Sequence, residues 1–120
     1  MNMILNGNSP LFIQISEYIK IELITGQKKP GEKLPSVRDL AKTFQINPNT
    51  VQKAYQMLED EGIIRSERGS GNYIIDDEQR IMSIKEEMLK EETAKYVNKM
   101  KSYGCSNTEI EQIIKKKLGV

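Results

Sequence analysis

The chain has 120 residues, of which 38% are hydrophobic and 29% are charged, and its formal net charge is +1. This composition suits one soluble globular domain, or a small domain with an extension, and it excludes an intrinsically disordered chain. With no histidine and one cysteine, the sequence has neither an internal disulfide nor a zinc-binding spacing, so we expect a reducing, cytoplasmic location and no bound metal.

The amino-terminal part of the chain alternates short periodic segments with prolines and glycines. Apolar residues at helical spacing predict a first helix that begins near Pro10 and ends at Gly26. Residues 33–35 are too few for a helix and are predicted to be extended. A second helix is predicted from Ser36, because residues 36–39 have the spacing of a capping box with an aspartate in its last position.

The third predicted helix, residues 48–61, carries the main functional signal. Asn47 suits its N-cap, Pro48 suits its first position, and Gly62 follows its last residue. Its outer face is polar over the first two turns, which is typical of a recognition helix whose amino-terminal residues meet base edges in the major groove. An ordinary capped helix with a solvated face has the same pattern. The inner face is apolar, with Val51, Ala54, Tyr55 and Leu58 at helical spacing.

Two short β-prone runs, residues 63–66 and 72–75, flank a glycine-rich turn at residues 68–71 and predict a hairpin. The order of the elements is that of a winged helix-turn-helix. We therefore predict a mainly α fold with a small β-hairpin, in which residues 1–75 form the DNA-binding domain. The turn lacks the lysine and the following helix of a nucleotide-binding P-loop, so we reject that function for it.

Residues 76–120 are predicted to form a helical dimerisation tail. One long helix is expected over about residues 77–103, and a capping box at residues 106–109 begins a last short helix. The long helix alone would expose an apolar stripe, which a second copy of the chain would cover while providing two-fold DNA recognition. Alternatively, the tail folds back on its own domain. The residues expected to dimerise are Ile81, Ile84, Met88, Tyr96, Val97, Met100, Ile110, Ile113 and Ile114.

The candidate DNA contacts lie at the starts of the second and third helices and at the hairpin tip. Asn and Gln side chains can each bond adenine twice, and backbone amides at a helix start favour a phosphate. Arg38 can reach a phosphate or a guanine, although a surface ion pair with Asp39 or a glutamate is an alternative. Arg68 at the hairpin tip can enter a narrow minor groove. The candidates are Ser36, Arg38, Asn47, Asn49, Thr50, Gln52, Lys53, Arg68, Gly69 and Ser70.

Several spaced motifs together resemble the GntR family of bacterial transcription regulators. The resemblance covers about residues 10–75, and the short helical tail is similar to that of the YtrA subfamily. It implies a homodimeric repressor that binds a palindromic operator. The motifs, in chain order, are Pro10-Leu11-Phe12-x-Gln14-Ile15, Gly31-Glu32-Lys33-Leu34-Pro35-Ser36-x-Arg38-x-Leu40-Ala41, Asn47-x-Asn49-Thr50-Val51, Leu58-x-x-x-Gly62 and Arg68-Gly69-Ser70-Gly71.

The resemblance also implies roles for individual residues. Some family members have arginine where Gln52 stands, and a glutamine favours adenine over guanine. Pro48 occupies a position that is basic in some relatives, so one DNA contact of those relatives is absent. The positions that match the DNA contacts of the family are Arg38 in the second helix, Asn49, Thr50 and Gln52 in the recognition helix, and Arg68 and Gly69 at the wing tip.

The residues alone leave two other functions to be considered. A winged helix can be a protein-interaction module without a DNA target, and a small enzyme would need converging ionisable groups, of which the sequence shows none. We therefore expect no enzyme and no cofactor. A tail of about 45 residues is below the size of a separate ligand-binding domain. An unknown small-molecule effector would therefore need a small pocket between the tail and the DNA-binding unit, and the sequence does not name that effector. No apolar run predicts a membrane span, and Cys105 fits a bare thiol in a turn better than a redox sensor.

Overall fold

Five helices and a two-stranded hairpin form the part of the chain that the structure, a computed structural model, describes, which is residues 6–120. The predicted mainly α fold with a small hairpin, in the order of a winged helix-turn-helix, is confirmed. The helices are α1 (Leu11–Ile24), α2 (Val37–Phe44), α3 (Pro48–Asp60), α4 (Glu78–Ser102) and α5 (Asn107–Leu118), and the antiparallel strands are β1 (Ile64–Glu67) and β2 (Gly71–Ile74).

The chain divides into two compact units within α4. The first unit ends at Ile84 and the second comprises Lys85–Val120. The change of sequence character near residue 75 therefore lies inside the first unit. The start of α4 belongs to that unit, because the Arg80 guanidinium donates a hydrogen bond to the Glu61 carbonyl oxygen at 3.1 Å.

Local capping chemistry sets the helix starts. The Ser36 hydroxyl accepts the Asp39 N–H at 3.1 Å, so α2 begins one residue after the predicted cap. Asn47 caps α3, and Pro48 occupies its first turn. At α5 both hydrogen bonds of the predicted capping box are present, between Ser106 and Glu109. These signals are local in sequence, and the helices begin where the signals predict.

The core of the first unit lies where α3 packs against α1, α2 and β1. The predicted inner face of α3 is buried, with none of its four apolar side chains more than 1% exposed. This packing fixes the rotation of α3 about its axis and leaves Gln52 and Lys53 exposed on the opposite face. The buried apolar residues of the first unit are Ile15, Ile19, Leu23, Leu34, Leu40, Ala41, Val51, Ala54, Tyr55, Leu58, Ile63, Ile64, Ile74 and Ile84.

The hairpin is tighter than predicted, because each strand lies one residue closer to the turn. The sequence predicts strands at residues 63–66 and 72–75, whereas the observed strands begin at Ile64 and Gly71. Ile63 is not in the strand, since its N–H bonds to the Leu58 carbonyl oxygen at 2.9 Å and closes the end of α3. Gly71 enters the strand with a φ of +137°, a conformation that residues with a side chain rarely adopt.

The extended segment at residues 31–34 pairs with the second edge of β2. Lys33 lies opposite Tyr73 in an antiparallel bridge, and the Leu34 N–H bonds to the Asn72 carbonyl oxygen at 2.8 Å. The segment therefore acts as a short third strand. Because α2 follows it directly, the hairpin is joined to the start of α2 by main-chain hydrogen bonds.

Tyr55 links α3 to the residue that precedes the cap of α2. Its hydroxyl donates a hydrogen bond to the Pro35 carbonyl oxygen at 2.7 Å, and its side chain is 1% exposed. Burial, followed by the charge of Glu22, raises the pKa of Tyr55, so its hydroxyl remains a neutral donor at neutral pH.

A Tyr55→Phe variant is expected to lose about 1–2 kcal/mol of unfolding free energy, because the half-buried Pro35 carbonyl loses its donor. Urea unfolding at neutral pH measures this loss. Tyr103→Phe is the matched control, since the Tyr103 side chain is 68% exposed and should unfold as the wild type does. An unchanged midpoint for Tyr55→Phe would mean that this hydrogen bond does not stabilise the fold.

The predicted dimerisation residues differ in exposure. Ile84 and Ile110 are 1% and 6% exposed within the single chain. These two isoleucines therefore belong to the packing of the chain itself rather than to a surface that faces a partner. The other members of the stripe are half-buried or exposed: Ile81, Met88, Val97 and Met100 are half-buried, and Tyr96, Ile113 and Ile114 are exposed.

None of the helices between residues 6 and 120 combines the length and the apolar character that crossing a membrane requires. Within the same described part of the chain, no three His, Cys, Asp or Glu side chains are grouped in a way that could hold a metal ion. Cys105 is half-buried in the turn between α4 and α5.

Candidate nucleic-acid interface

The residues predicted to contact DNA lie at the start of α2, at the start of α3 and at the tip of the hairpin. α2 and α3 pack against each other, which places the helix-turn-helix residues in one unit. All of the candidates are exposed except Thr50, which is half-buried. They are Ser36 and Arg38 at α2, Asn47, Asn49, Thr50, Gln52 and Lys53 at α3, and Arg68, Gly69 and Ser70 at the tip.

The Arg38 side chain is exposed in the first turn of α2. Within residues 6–120 it has no recorded ion pair or hydrogen bond, so the alternative of a fixed pair with Asp39 or a glutamate is not realised in this structure. Asp39 instead contributes its backbone N–H to the Ser36 cap. The guanidinium of Arg38 is therefore available to an external anion or base.

The backbone amides at the start of α3 are already used. Pro48 has no N–H, the Asn49 N–H bonds to the Asn47 side-chain oxygen at 2.8 Å, and the Thr50 N–H bonds to the Asn47 carbonyl oxygen at 3.0 Å. In the chain without DNA, the Asn47 cap thus satisfies two of the amides that the sequence analysis expects to favour a phosphate. The exposed side chains of α3 are available for further phosphate contacts.

Lys53 is held in place by an aromatic ring of α1. Its ammonium nitrogen lies 4.1 Å from the centroid of the Phe12 ring, which is the geometry of a cation–π contact. Phe12 is half-buried, and Lys53 remains exposed. The ring therefore limits the positions of a cation that would otherwise be free to move at the outer face of α3.

A Phe12→Leu variant is expected to weaken duplex binding by about two- to fivefold, because it keeps an apolar side chain but removes the ring that positions Lys53. Fluorescence anisotropy with a labelled duplex measures the effect. In a Lys53→Ala background the same change should have no further effect. If the loss persisted undiminished there, Phe12 would act through another residue.

The hairpin tip exposes Arg68 beside two residues that are engaged within the hairpin. The Arg65 guanidinium pairs with Glu67 at 3.0 Å, and the Ser70 hydroxyl is hydrogen-bonded to the Tyr73 hydroxyl. Arg68 has no such partner recorded anywhere in residues 6–120. Of these side chains, Arg68 is therefore the one that is available to a nucleic acid.

Lys33 is a candidate contact that the sequence analysis missed. Because residues 31–34 pair with β2, the Lys33 side chain lies beside Gly71 of that strand. A Cβ atom added to Gly71 would lie 2.9 Å from the Lys33 Cε. Lys33 is exposed and adds a cation to the same wing as Arg68. The extended segment ahead of the predicted hairpin was the available signal, but Tyr73, which pairs with Lys33, lies 40 residues further along the chain.

The acidic residues at the carboxyl end of α3 are held by internal partners. Glu59 accepts the Ser66 hydroxyl at 2.6 Å, Asp60 accepts the Gln56 side-chain amide at 2.9 Å, and Glu61 pairs with Lys20 at 3.2 Å. These carboxylates lie at the end of the helix opposite Asn49 and Gln52. A chain of net charge +1 thus separates its charges along one helix, which permits binding to a polyanion.

Residues 12–74 match the family model described as bacterial regulatory proteins, gntR family. The chain is 33% identical over 109 residues to the HTH-type transcriptional regulator YhcF of Bacillus subtilis (strain 168), covering 91% of this chain and 90% of that protein. It is 52% identical over 68 residues to the HTH-type transcriptional repressor YtrA of the same organism, covering 57% of this chain and 52% of that repressor.

A solved structure also resembles nearly the whole chain. The GntR family transcriptional regulator from Listeria monocytogenes matches with a TM-score of 0.87 and 36% identity, and the match covers 93% of this chain and 98% of that chain. The sequence motifs, the winged helix-turn-helix and the relatives agree with one another. The chain therefore belongs to the gntR family of bacterial regulatory proteins, as a YtrA-like, DNA-binding transcription regulator.

Proposed function

We propose that the protein is a cytoplasmic repressor that binds a palindromic operator as a homodimer. The observation that carries this proposal is the separation of chemistry along α3. The amino-terminal half exposes Gln52 and Lys53, and the adjoining α2 exposes Arg38, whereas the carboxylates at the far end have internal partners. A duplex that approaches the amino end meets the side-chain amide of Gln52 and the cations of Lys53 and Arg38.

In the proposed complex, α3 enters the major groove with its amino end towards the bases. Gln52 is suited to the pair of hydrogen bonds that adenine offers there, and Arg38 is suited to a guanine or a phosphate. Arg68 enters the neighbouring minor groove from the wing tip, and Lys33 contacts a phosphate from the same wing. The protein acts through binding and not through catalysis.

The dimer is proposed to form through an apolar groove in the second unit. Side chains of α4 and α5 line this groove, whose volume is about 470 Å³. In its walls Leu89, Tyr96 and Leu118 are 56%, 40% and 70% exposed, and the predicted residues Val97 and Ile114 lie beside them. A second copy of the chain would cover these exposed apolar side chains.

Salt dependence of duplex binding tests the function. The purified protein is titrated against a duplex selected from a random pool and against a random duplex, over a series of salt concentrations. We expect the logarithm of affinity to fall linearly with the logarithm of salt concentration, with a slope of about −0.9 for each phosphate contact. The selected duplex should bind more tightly than the random one at every salt concentration.

Absence of salt-dependent binding to both duplexes would contradict the operator proposal. Binding that is equal for both duplexes would contradict sequence-specific recognition.

A further inference from the structure

A hydrogen bond joins the end of α3 to the first turn of α4. The Arg80 guanidinium donates it from Nη2 to the Glu61 carbonyl oxygen, at 3.1 Å. Glu61 is the C-cap of α3, and the carbonyl groups at the end of a helix have no partner within that helix. A cation at this end also interacts favourably with the helix dipole. The end of α3 is therefore a place where a guanidinium is stabilised.

The Arg80 guanidinium is oriented from its own helix. Its Nη1 donates a hydrogen bond to the Ser83 hydroxyl at 3.0 Å, and that hydroxyl donates in turn to the Arg80 carbonyl oxygen at 2.7 Å. The Asp77 carboxylate accepts the Arg80 N–H at 3.1 Å, which caps the start of α4. The donors of a guanidinium lie in one plane with fixed directions. One planar group therefore bonds to α4 on one side and to the end of α3 on the other.

The first turns of α4 are also held to the first unit by the backbone and by an apolar side chain. Three residues separate the end of β2 from the start of α4. Within this connection the Ile75 N–H bonds to the Ile63 carbonyl oxygen at 3.1 Å. Ile84, the last residue of the first unit, is 1% exposed. Arg80 adds to these contacts a polar one that is made with α3 itself.

The same helix carries the surface that we propose for dimerisation. α4 is a single helix of 25 residues, and its later turns contribute Leu89, Tyr96 and Val97 to the apolar groove. An α-helix is a regular element that rises about 1.5 Å per residue. α4 thus contacts the recognition helix in its first turn and carries the proposed dimer surface further along its length.

We infer that Arg80 is a positioning residue that sets the separation of the two half-sites which the dimer accepts. This inference rests on the proposed function. A dimer binds two half-sites together only where their separation matches that of its two recognition helices, and one base pair changes the separation by about 3.4 Å and the rotation by about 35°. Without the contact between Arg80 and α3, the start of α4 can change its angle to α3 more easily, and neighbouring separations become acceptable.

A series of duplexes tests the inference, with the separation of two selected half-sites changed one base pair at a time. Fluorescence anisotropy at one salt concentration measures each affinity, and a duplex with one half-site measures recognition alone. We expect the wild type to bind its best separation about tenfold more tightly than separations one base pair away, which is comparable with the effect of one wrong base pair.

Arg80→Met keeps an unbranched side chain of similar helix propensity and removes the donors. In this variant we expect the ratio between the best and the neighbouring separations to fall to about twofold, because one hydrogen bond to a charged group is lost. Affinity for the single half-site and the dissociation constant of the dimer should stay at their wild-type values. A role of Arg80 that was merely structural would lower these two values as well.

Two further variants make the test specific. Lys85→Met removes a cation from an exposed position of α4 and should keep the wild-type ratio. Ser83→Ala removes the acceptor that orients the guanidinium, so it should lower the ratio in the same direction, and it should have no further effect in an Arg80→Met background. Because Ser83→Ala leaves the arginine in place, it decides the question if Arg80→Met does not fold.

A wild-type ratio in both Arg80→Met and Ser83→Ala would overturn the inference. A folded Arg80→Met protein that binds the single half-site more weakly would also overturn it, because Arg80 would then act on DNA recognition itself. Both results leave the proposed function intact. That function, and this inference with it, fails if the wild type binds two half-sites no more tightly than one at every separation.

Discussion

Replacing Arg38 by alanine is expected to cost roughly 1–3 kcal/mol of binding free energy at each half-site, which is an affinity loss of about 5- to 150-fold. The side chain is exposed and has no recorded partner within residues 6–120, so its removal leaves no buried group unsatisfied. The loss should therefore appear in operator binding and not in the unfolding free energy. A gel-shift titration on one selected duplex, at one salt concentration, measures it.

The control for Arg38→Ala is Lys85→Ala, which removes the same charge from an exposed position of α4. The two possible roles of Arg38 also differ in their effects. Loss of a phosphate contact should weaken the binding of all duplexes equally, and the slope of affinity against salt concentration should become less steep by the amount expected for about one phosphate contact. Loss of a base contact should instead relax the sequence preference. Unchanged operator affinity in Arg38→Ala would remove Arg38 from the interface.

A Leu89→Glu variant is expected to raise the dissociation constant of the proposed dimer by at least about a hundredfold. The two-fold axis introduces two carboxylates for each substitution, and burying them in a mainly apolar groove is unfavourable, since its one lining ammonium, Lys117, shares the groove with Glu92. Because Leu89 is 56% exposed in the single chain, folding should be unaffected. Sedimentation equilibrium measures the dimer, and operator affinity should fall with it, since the half-sites are bound together.

Asn98→Glu is the matched control for Leu89→Glu. It introduces the same carboxylate into α4, at an exposed position that helical periodicity places on the opposite face. This variant should dimerise and bind the operator as the wild type does. A wild-type protein that sediments as a monomer, or a Leu89→Glu protein that remains dimeric, would contradict the proposed interface.

The elements that the sequence predicts best are those whose causes are local. Asn47 and Pro48 define the start of α3 because a side-chain cap and a proline at the first turn act within a few residues. The buried face of α3 follows in the same way from a spacing of three and four residues, which puts Val51 and Tyr55 on one side of a helix. The resemblance to the GntR family rests in addition on the order of several such motifs along the chain.

Features that depend on pairing between distant segments are not visible in the sequence pattern. Lys33 reaches the wing only because residues 31–34 pair with β2, and Phe12 meets Lys53 only because α1 packs on α3. Leu89 was likewise absent from the predicted stripe, since its place in the groove depends on α5 lining the same groove. Helical periodicity identifies an apolar face but not the element that lies beside it.

The pairing of residues 31–34 with β2 bears on how much variation an operator can contain. Main-chain hydrogen bonds join the wing to the segment that leads into α2. This backbone pairing fixes the spacing between Arg38 of α2 and Arg68 of the hairpin. In the proposed complex, one extra base pair between the major-groove site and the adjoining minor-groove site would move these two sites apart. The two arginines could then not reach both sites together. Such operators should be rejected as strongly as those with a wrong base.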